Sequence, residues 1–263
     1  MNPRIKNQFD LTGKVALITG ASKGIGESIA RGLAEYGAKV VVSSRSQESV
    51  DAVAKSFCDD GLEAKGIACH VGDEAQLEHL VLKTVEHYGG MDILVNNAAI
   101  NPFYGNLEDT DNSLFDKIMN VNVKAAFTLS NLCFGHMKKR GKGSIINIAS
   151  VEGLKPSHGL GLYSVSKAAL IMLTKVQAGE WGKAGIRSNV ICPGLIQTKF
   201  SAALWNNEAL LDQLTRHLPA GRMALPDEMA GLACFLASPA SSYCTGAVFT
   251  ADGGHMIAGG FNT

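Results

Sequence analysis

Short apolar runs alternate with longer segments of helical periodicity along this chain, and that alternation limits its possible folds most strongly. Val15–Thr19 and Val40–Val42 are continuous apolar or β-prone runs, typical of strands covered on both faces. Between them apolar residues recur every four positions from Ile25 to Leu33, which predicts an amphipathic helix that is stopped by Gly37. Strands that alternate with helices form parallel sheets with right-handed crossovers. We therefore predict an α/β protein with a doubly wound parallel sheet and helices on both faces.

The same alternation continues to the end of the chain. It predicts further strands near Ala64–Cys69, Ile93–Val95, Ser144–Ile148, Arg187–Ile191 and Val248–Thr250, and helices near Val50–Phe57, Glu74–Tyr88, Asn112–Lys139, Tyr163–Trp181 and Asp227–Ala237. No Pro/Ser-rich linker, charge block or repeat divides the chain, so residues 1–263 are expected to form a single domain. A ligand site is expected beyond the carboxyl ends of the strands, where strand order reverses.

Composition argues against several classes of protein. The 24 basic residues balance 24 acidic ones, which argues against nucleic acid or an anionic membrane as the main partner. The chain has no apolar run of about 18 residues, and its first ten residues lack the apolar segment of a signal peptide. These features predict a cytoplasmic protein without a membrane span. Six cysteines without CxxC spacing are expected to be reduced, and seven scattered histidines give no reason to expect a catalytic metal.

The first strand leads into a glycine-rich turn, Thr19–Gly26, with the spacing G-x-x-x-G-x-G. Glycines at such a turn allow close backbone approach, and the following helix offers free N–H groups to a pyrophosphate. This context predicts a dinucleotide site, although a glycine-rich turn without a ligand is the alternative. The second strand ends in Ser44-Arg45 with no acidic residue, and Arg45 and Lys23 can hold a 2′-phosphate. We therefore expect NADP(H) to be preferred, with NAD(H) possible.

Tyr163 and Lys167 are four residues apart on one predicted helix, with Ser150 upstream. Lowering the pKa of a phenol from about 10 to about 7 requires roughly 4 kcal/mol of preferential stabilisation of the phenolate. A fixed ammonium is one of the few side chains that can supply much of this. The spacing by itself also fits an exposed tyrosine beside a solvated lysine.

Several motifs in order make the chain resemble the classical short-chain dehydrogenase/reductases along nearly its whole length. They are Thr19–Gly26, Asn96-Asn97-Ala98-Ala99, Asn122, Ser150, Tyr163/Lys167, Pro193-Gly194 and Asp252-Gly253-Gly254. The resemblance implies a single Rossmann-type domain with a substrate-covering flap at about 199–219. It also implies hydride transfer between nicotinamide and a carbonyl compound or secondary alcohol.

The resemblance assigns catalytic roles to four residues. Tyr163 would be the general acid in reduction and the general base in oxidation. Lys167 would lower the pKa of Tyr163 and bind the nicotinamide ribose. Ser150 would hold the substrate oxygen, and Asn122 would hold a water of a proton relay. The structural alternatives are a turn-capping hydroxyl for Ser150 and a backbone-bonded helical amide for Asn122.

The cofactor set implied by the resemblance covers both ends of the dinucleotide. Asn96 and Ala98 would line the adenosine-ribose side, and Thr198 and the Ile196 backbone would lie near the carboxamide. The full set is Gly20, Ser22, Lys23, Gly24, Ile25, Gly26, Ser44, Arg45, Val71, Asn97, Ala98, Tyr163, Lys167, Pro193, Gly194, Ile196 and Thr198.

Two positions depart from the family pattern. Ala99 replaces a glycine, and His70-Val71 replaces the aspartate that usually faces the adenine amino group. The Val71 backbone could still serve the adenine, whereas His70 is either an edge residue or an adenine contact.

The substrate walls are expected at Pro102-Phe103-Tyr104 and at Leu154–Leu162, where His158 is a rim residue or a substrate contact. The flap would cover the substrate. Its apolar side chains, which either contact substrate or pack the flap on the body, are Phe200, Leu204, Trp205, Leu210, Leu211 and Leu214.

The resemblance also implies a homotetramer. Long helices ending near Arg140 and Trp181 would pair across one interface, with Ala168 and Ala169 allowing close packing, and Asp252–Phe261 would form another.

Three functions remain open at this point. The first is an NADP(H)-dependent reductase or dehydrogenase of free small molecules. The second is a 3-oxoacyl-[acyl-carrier-protein] reductase with Lys138, Lys139 and Arg140 as a docking patch. The third is a non-catalytic NADP-binding sensor, which the complete Ser-Tyr-Lys-Asn set disfavours.

Overall fold

Within residues 5–206 and 208–258, which the computed structural model describes, seven strands form one parallel sheet. The strands are β1 (Val15–Thr19), β2 (Lys39–Ser44), β3 (Ala64–Ala68), β4 (Ile93–Asn96), β5 (Gly143–Ile148), β6 (Ile186–Pro193) and β7 (Val248–Ala251). Their order in the sheet is β3-β2-β1-β4-β5-β6-β7, so the order reverses between β1 and β4. The predicted doubly wound sheet is confirmed.

Helices connect the strands at the predicted places. They are α1 (Gly24–Glu35), α2 (Gln47–Asp59), α3 (Glu74–Tyr88), α4 (Asn112–Met119), α5 (Ala125–Lys139), α6 (Gly161–Trp181), α7 (Ala202–Trp205), α8 (Glu208–Arg216) and α9 (Ala230–Ala237). The helix expected over about Asn112–Lys139 contains a π-helical turn, Asn120–Lys124, between α4 and α5. Such turns often mark functional positions. None of the helices in the described ranges has both the length and the apolar character to cross a membrane.

The sheet is buried on both faces because its strands present apolar side chains alternately to each side. Ala16 and Ile18 of β1 belong to a core that includes residues of α1 and α9. Leu17, between them, belongs to the opposite core, with residues of α3 and α5. Burial of a leucine or isoleucine side chain of this kind stabilises the fold by about 1.5–3 kcal/mol. This two-sided burial explains why the strands read as continuous apolar runs.

A buried carboxylate, Asp92, connects residues at the amino-terminal ends of the strands by hydrogen bonds. Asp92, 4% exposed, accepts hydrogen bonds from the Val15 N–H at 2.9 Å and from Arg140 Nε at 3.0 Å. Arg140 also donates to the Gly13 carbonyl oxygen at 3.1 Å. This guanidinium therefore has a structural role at the edge opposite the carboxyl ends of the strands.

Candidate active site

The glycine turn between β1 and α1 has no room for side chains. A Cβ at Gly26 would lie 2.5 Å from the Gly20 carbonyl oxygen, and a Cβ at Gly20 would lie 2.9 Å from Ala98 Cα. Gly20 and Gly24 have φ of 64° and 62°, which glycine adopts most readily. Helix α1 begins after Lys23 without a side-chain cap, so its first N–H groups are available to an anion. This cradle fits the pyrophosphate of a dinucleotide.

Asn97 and Thr19 attach this turn to the end of β4. Asn97 Nδ2 donates to the carbonyl oxygens of Thr19 at 2.9 Å and Gly20 at 3.0 Å. Thr19 Oγ1 accepts from the N–H groups of Asn97 and Ala98, both at 3.1 Å. The sequence did not assign this role to Thr19, although a hydroxyl at the end of a strand was a usable signal. Asn97 thus supports the cradle with its side chain.

Two cations, Lys23 and Arg45, are predicted to bind the 2′-phosphate of the cofactor. Lys23 and Arg45 are exposed, and neither makes a side-chain hydrogen bond or ion pair to another described residue. Ser44 ends β2 beside Arg45. Val71 lines a cavity together with Thr19, Asn96, Ala98 and Asn122.

His70 is exposed beside this cavity. Its Nδ1 accepts a hydrogen bond from the Gly72 N–H at 3.2 Å. That bond makes Nδ1 the acceptor, so in the neutral ring Nε2 carries the proton. The neutral side chain of His70 therefore has a hydrogen-bond donor at Nε2, whereas the carboxylate of the family's aspartate has only acceptors.

Tyr163 and Lys167 lie on one face of α6, close to its start. Lys167 is 2% exposed, its Nζ lies 5.5 Å from the centroid of the Tyr163 ring, and it donates to the Ile148 carbonyl oxygen at 2.9 Å. Burial lowers the pKa of Lys167 to about 8. Burial also raises the pKa of Tyr163 above its usual range, although a hydrogen bond with Ser150 acts in the opposite direction. The sequence predicted that Lys167 lowers the pKa of Tyr163. In the structure, burial outweighs that effect and the pKa of Tyr163 is raised.

Ser150 follows β5 and lies next to Tyr163 in the site. Its Oγ accepts a hydrogen bond from the Glu152 N–H at 3.1 Å. Because that bond occupies an acceptor position, the hydroxyl keeps its proton for donation, and the hydrogen bond with Tyr163 uses it in this structure. The turn-capping alternative and the catalytic role are thus compatible in this serine.

Asn122 is 2% exposed within the π-helical turn and clamps two segments. Its Oδ1 accepts from the Ile100 N–H at 2.8 Å, and its Nδ2 donates to the Ile100 carbonyl oxygen and to Ser166 Oγ, both at 3.0 Å. Ser166 Oγ in turn donates to the Tyr163 carbonyl oxygen at 2.7 Å. Both amide donors of Asn122 are therefore used in the protein. Ser166 was missed from the sequence, although its position three residues after Tyr163 on a helix was a usable signal.

The carboxyl ends of β6 and β7 border the other side of the cleft. A Cβ at Gly194 would lie 2.7 Å from Asp252 Cα, so Pro193-Gly194 packs directly on the turn after β7. Thr198 Cγ2 lies 3.4 Å from the position of a Cβ on Gly24. Ile196 is 5% exposed and bridges to Ala224 at the base of the flap. The segment predicted for the nicotinamide thus contacts the glycine turn.

The two predicted substrate walls face each other beside Tyr163. The Gly105 N–H donates to the Gly159 carbonyl oxygen at 3.1 Å, and both residues line a pocket with Phe103, Leu160 and Tyr163. Apolar side chains form most of the remaining lining, namely Leu107, Leu114, Ile118 and Leu162. Tyr104 and His158 are exposed at its rim.

The flap contacts Tyr163 through Phe200, since the centroids of the two rings lie 6.0 Å apart. Trp205 Nε1 donates to the Thr198 carbonyl oxygen at 2.9 Å, which fixes the start of the flap. Leu211 and Leu214 are partly buried. The side chains of Leu204 and Leu210 are not among those that the structure describes, and Phe261, at the predicted second interface, lies outside the described residues.

The chain is similar to known proteins over most of its length. The sequence profile described as "Enoyl-(Acyl carrier protein) reductase" matches residues 20–256. Dehydrogenase/reductase SDR family member 4 from Oryctolagus cuniculus is 44% identical over 244 residues, covering 93% of this chain and 94% of the relative.

Two solved structures are similar over almost the whole chain. A gluconate 5-dehydrogenase from Burkholderia cenocepacia in complex with NADP and tartrate has a TM-score of 0.93 at 36% identity, covering 97% of this chain and 100% of its own. A 7α-hydroxysteroid dehydrogenase complexed with NADH and 7-oxo glycochenodeoxycholic acid has a TM-score of 0.91 at 33% identity, covering 95% and 96%.

Proposed function

The chain belongs to the short-chain dehydrogenase/reductase family, whose members are oxidoreductases that act on alcohols and carbonyl compounds, and we propose that it is an NADP(H)-dependent reductase of free carbonyl compounds. The observation that carries the proposal is the meeting of Ser150, Tyr163 and Lys167 beside a pocket with apolar walls. Tyr163 faces this pocket and also contacts the flap through Phe200.

An NADPH held by the glycine turn and by Lys167 would supply the hydride that the carbonyl carbon accepts. Tyr163 Oη gives its proton to the carbonyl oxygen as the alcohol forms. Ser150 donates a hydrogen bond to the same oxygen and stabilises the negative charge that develops there. A raised pKa keeps the phenol protonated at neutral pH, which suits a general acid in reduction. Lys167 is held by the Ile148 carbonyl oxygen beneath the ring and would contact the nicotinamide ribose.

Asn122 supports this arrangement through the catalytic helix. Its hydrogen bond to Ser166, which bonds the Tyr163 carbonyl oxygen, fixes the first turn of α6. The water relay that the family resemblance implies for Asn122 remains a prediction.

The preference for NADP(H) follows from charge. Lys23 at the start of α1 and Arg45 after β2 are exposed cations on both sides of the adenosine end, and the Val42–Arg45 stretch has no carboxylate. A 2′-phosphate would pair with them, and the bound NADP of the Burkholderia relative supports this choice. The glycine turn, Val71, Asn97, Ala98, Pro193, Gly194, Ile196 and Thr198 would hold the rest of the cofactor.

A 3-oxoacyl-[acyl-carrier-protein] reductase is the second candidate, since the matching profile carries an acyl-carrier description. Lys138, Lys139 and Arg140 are poor docking residues for this role. They lie at the end of α5, which spans about 22 Å from its start near the π-helical turn. Arg140 is also bound to the buried Asp92.

We also propose that residues 1–263 form one domain that assembles as a homotetramer. Helix α6 exposes a stripe of apolar and small side chains, Val165, Ala168, Met172 and Val176. Phe127 on α5 is 51% exposed. Burial of these side chains against a second copy would remove contiguous apolar surface from water.

The proposed function is tested by following NADPH oxidation with ketones, diketones, ketoses, quinones and a 3-oxoacyl thioester, with NADH in parallel. We expect turnover of free carbonyl compounds and a loss of kcat of about 10²–10⁴-fold in Tyr163→Phe, the usual contribution of general acid catalysis. Exposed Tyr243→Phe is the matched control and should keep full activity. Turnover restricted to the thioester would favour the second candidate, and an active Tyr163→Phe would overturn the mechanism.

A further inference from the structure

Glu152 makes contacts that the proposed reaction does not use. Its carboxylate is half-buried and accepts three hydrogen bonds, from the Ser157 N–H and Ser157 Oγ at 2.7 Å each and from Ser164 Oγ at 3.3 Å. Its own N–H donates to Ser150 Oγ. One residue thus contacts a proposed catalytic hydroxyl, the loop before α6, and the helical residue that follows Tyr163.

The loop from Gly153 to Leu160 contains most of the predicted second substrate wall, Leu154–Leu162, and is otherwise attached at its two ends. At its start, a Cβ on Gly153 would lie 2.7 Å from the carbonyl carbon of Lys167, so the loop packs directly on the α6 backbone. At its end, the Gly159 carbonyl oxygen accepts from Gly105. The middle of the loop, residues 155–158, is exposed. The Glu152 carboxylate therefore ties the exposed middle of the wall back to its base.

We propose that Glu152 is a positioning residue: it braces the 153–160 substrate wall against α6 and places a fixed negative charge beside Tyr163. The inference rests on the proposed function, because it concerns the same site. Charge-assisted hydrogen bonds such as those to Ser157 are stronger than neutral ones, so the carboxylate suits a brace better than an amide would.

The charge has a consequence of its own for catalysis. In the described part of the chain, the titratable groups near Tyr163 are Glu152 from the loop, Lys167 from its own helix and Cys192 from β6. The negative charge of Glu152 disfavours the phenolate and adds to the effect of burial on the pKa of Tyr163. Alcohol oxidation needs the phenolate as its base. Removing the charge should therefore move the acidic limb of the oxidation profile to lower pH.

Two variants separate the brace from the charge. Ser157→Ala removes one of the two short bonds to Glu152 but keeps the carboxylate, whereas Glu152→Gln removes the charge. Both should raise the KM for the carbonyl substrate about 10-fold, the equivalent of one charge-assisted hydrogen bond, with an unchanged Kd for NADPH. Glu152→Gln alone should move the acidic limb of kcat against pH for oxidation. Glu180→Gln, at the exposed end of α6, is the control and should change neither.

A second readout does not depend on turnover. Hydrogen exchange of backbone amides in residues 153–160 should accelerate in Glu152→Ala and Ser157→Ala and stay unchanged in Glu180→Gln. Unchanged exchange, together with a wild-type KM and pH profile in Glu152→Gln, would overturn the inference. An active Tyr163→Phe would instead overturn the proposed function, so the two failures are distinguishable.

Discussion

Lys167 Nζ lies 5.5 Å from the centroid of the Tyr163 ring while it donates a hydrogen bond to the Ile148 carbonyl oxygen. The ammonium is therefore held by the end of β5 and not by the phenol itself. Because Lys167 is 2% exposed and has this one described hydrogen-bond partner, most of its hydration is lost on folding. Lys167 is thus a costly buried charge in this protein.

The buried charge of Lys167 should make the free energy of unfolding depend on pH. Because burial lowers the pKa of Lys167 to about 8, the folded protein releases this proton more readily than the unfolded chain. The free energy of unfolding of the wild type, measured relative to Lys167→Met, should rise between about pH 8 and about pH 10.5, by about 3 kcal/mol in all. Urea unfolding of both proteins across this range gives the difference. A difference that falls with pH would contradict the buried-charge interpretation.

Removal of the Asn122 amide should loosen the catalytic helix as well as the loop at Ile100. Asn122→Ala leaves the part-buried N–H and carbonyl of Ile100 without their side-chain partner, at a cost of about 1–3 kcal/mol. Urea denaturation should show this loss, and kcat should fall because Ser166 loses a partner. Asn131→Ala, exposed on α5, is the control. Equal stability of the two variants would contradict the clamp.

Arg45→Ala should weaken the binding of NADPH but not that of NADH. Loss of a guanidinium that pairs with the 2′-phosphate should raise the KM for NADPH about 10- to 100-fold and leave that for NADH unchanged. Steady-state kinetics with both cofactors measures the ratio. Lys55→Ala, an exposed cation on α2 that pairs with Asp59, should leave both values as they are. A parallel rise for NADH would show that Arg45 does not read the phosphate.

Gly153→Ala should displace the substrate wall from α6. The new Cβ would lie 2.7 Å from the Lys167 carbonyl carbon and 2.8 Å from the Ala168 nitrogen, which are backbone atoms and cannot rotate away. We expect a loss of about 1–3 kcal/mol in stability and a lower kcat. Gly179→Ala, on α6, is the control. The Cβ added there meets nothing within 4 Å, so this variant should be more stable than the wild type by up to about 1 kcal/mol. Thermal unfolding and initial rates compare the pair.

The assembly proposal is tested on the exposed face of α6. Met172→Glu places a charge in the centre of the apolar stripe, where Met172 is 58% exposed. Light scattering coupled to gel filtration should show a smaller particle than the wild type. Lys55→Glu, an exposed lysine on α2, is the control and should keep the wild-type mass. A wild type that is already monomeric would refute the proposed tetramer.

The strand and helix pattern could be predicted from the sequence because it depends on local periodicity. Val15–Thr19 and Glu74–Tyr88 match the structure at both ends, and the sheet is parallel as alternation requires. The π-helical turn at Asn120–Lys124 was not predictable in this way, since its residues continue the helical pattern on both sides. Asn122 is buried there because the turn brings it against Ile100.

The sequence by itself determined the residue types of the site, their order and the Tyr163–Lys167 spacing, because these depend on identity and on helix geometry. Only the tertiary structure decided that Lys167 is anchored by Ile148, that Asn122 reaches Tyr163 through Ser166, and that Glu152 accepts hydrogen bonds from Ser157. These bonds join residues from different strands, helices and loops. Such distances are set by how the sheet and helices pack, and burial then shifts the pKa values that the sequence alone had led us to expect.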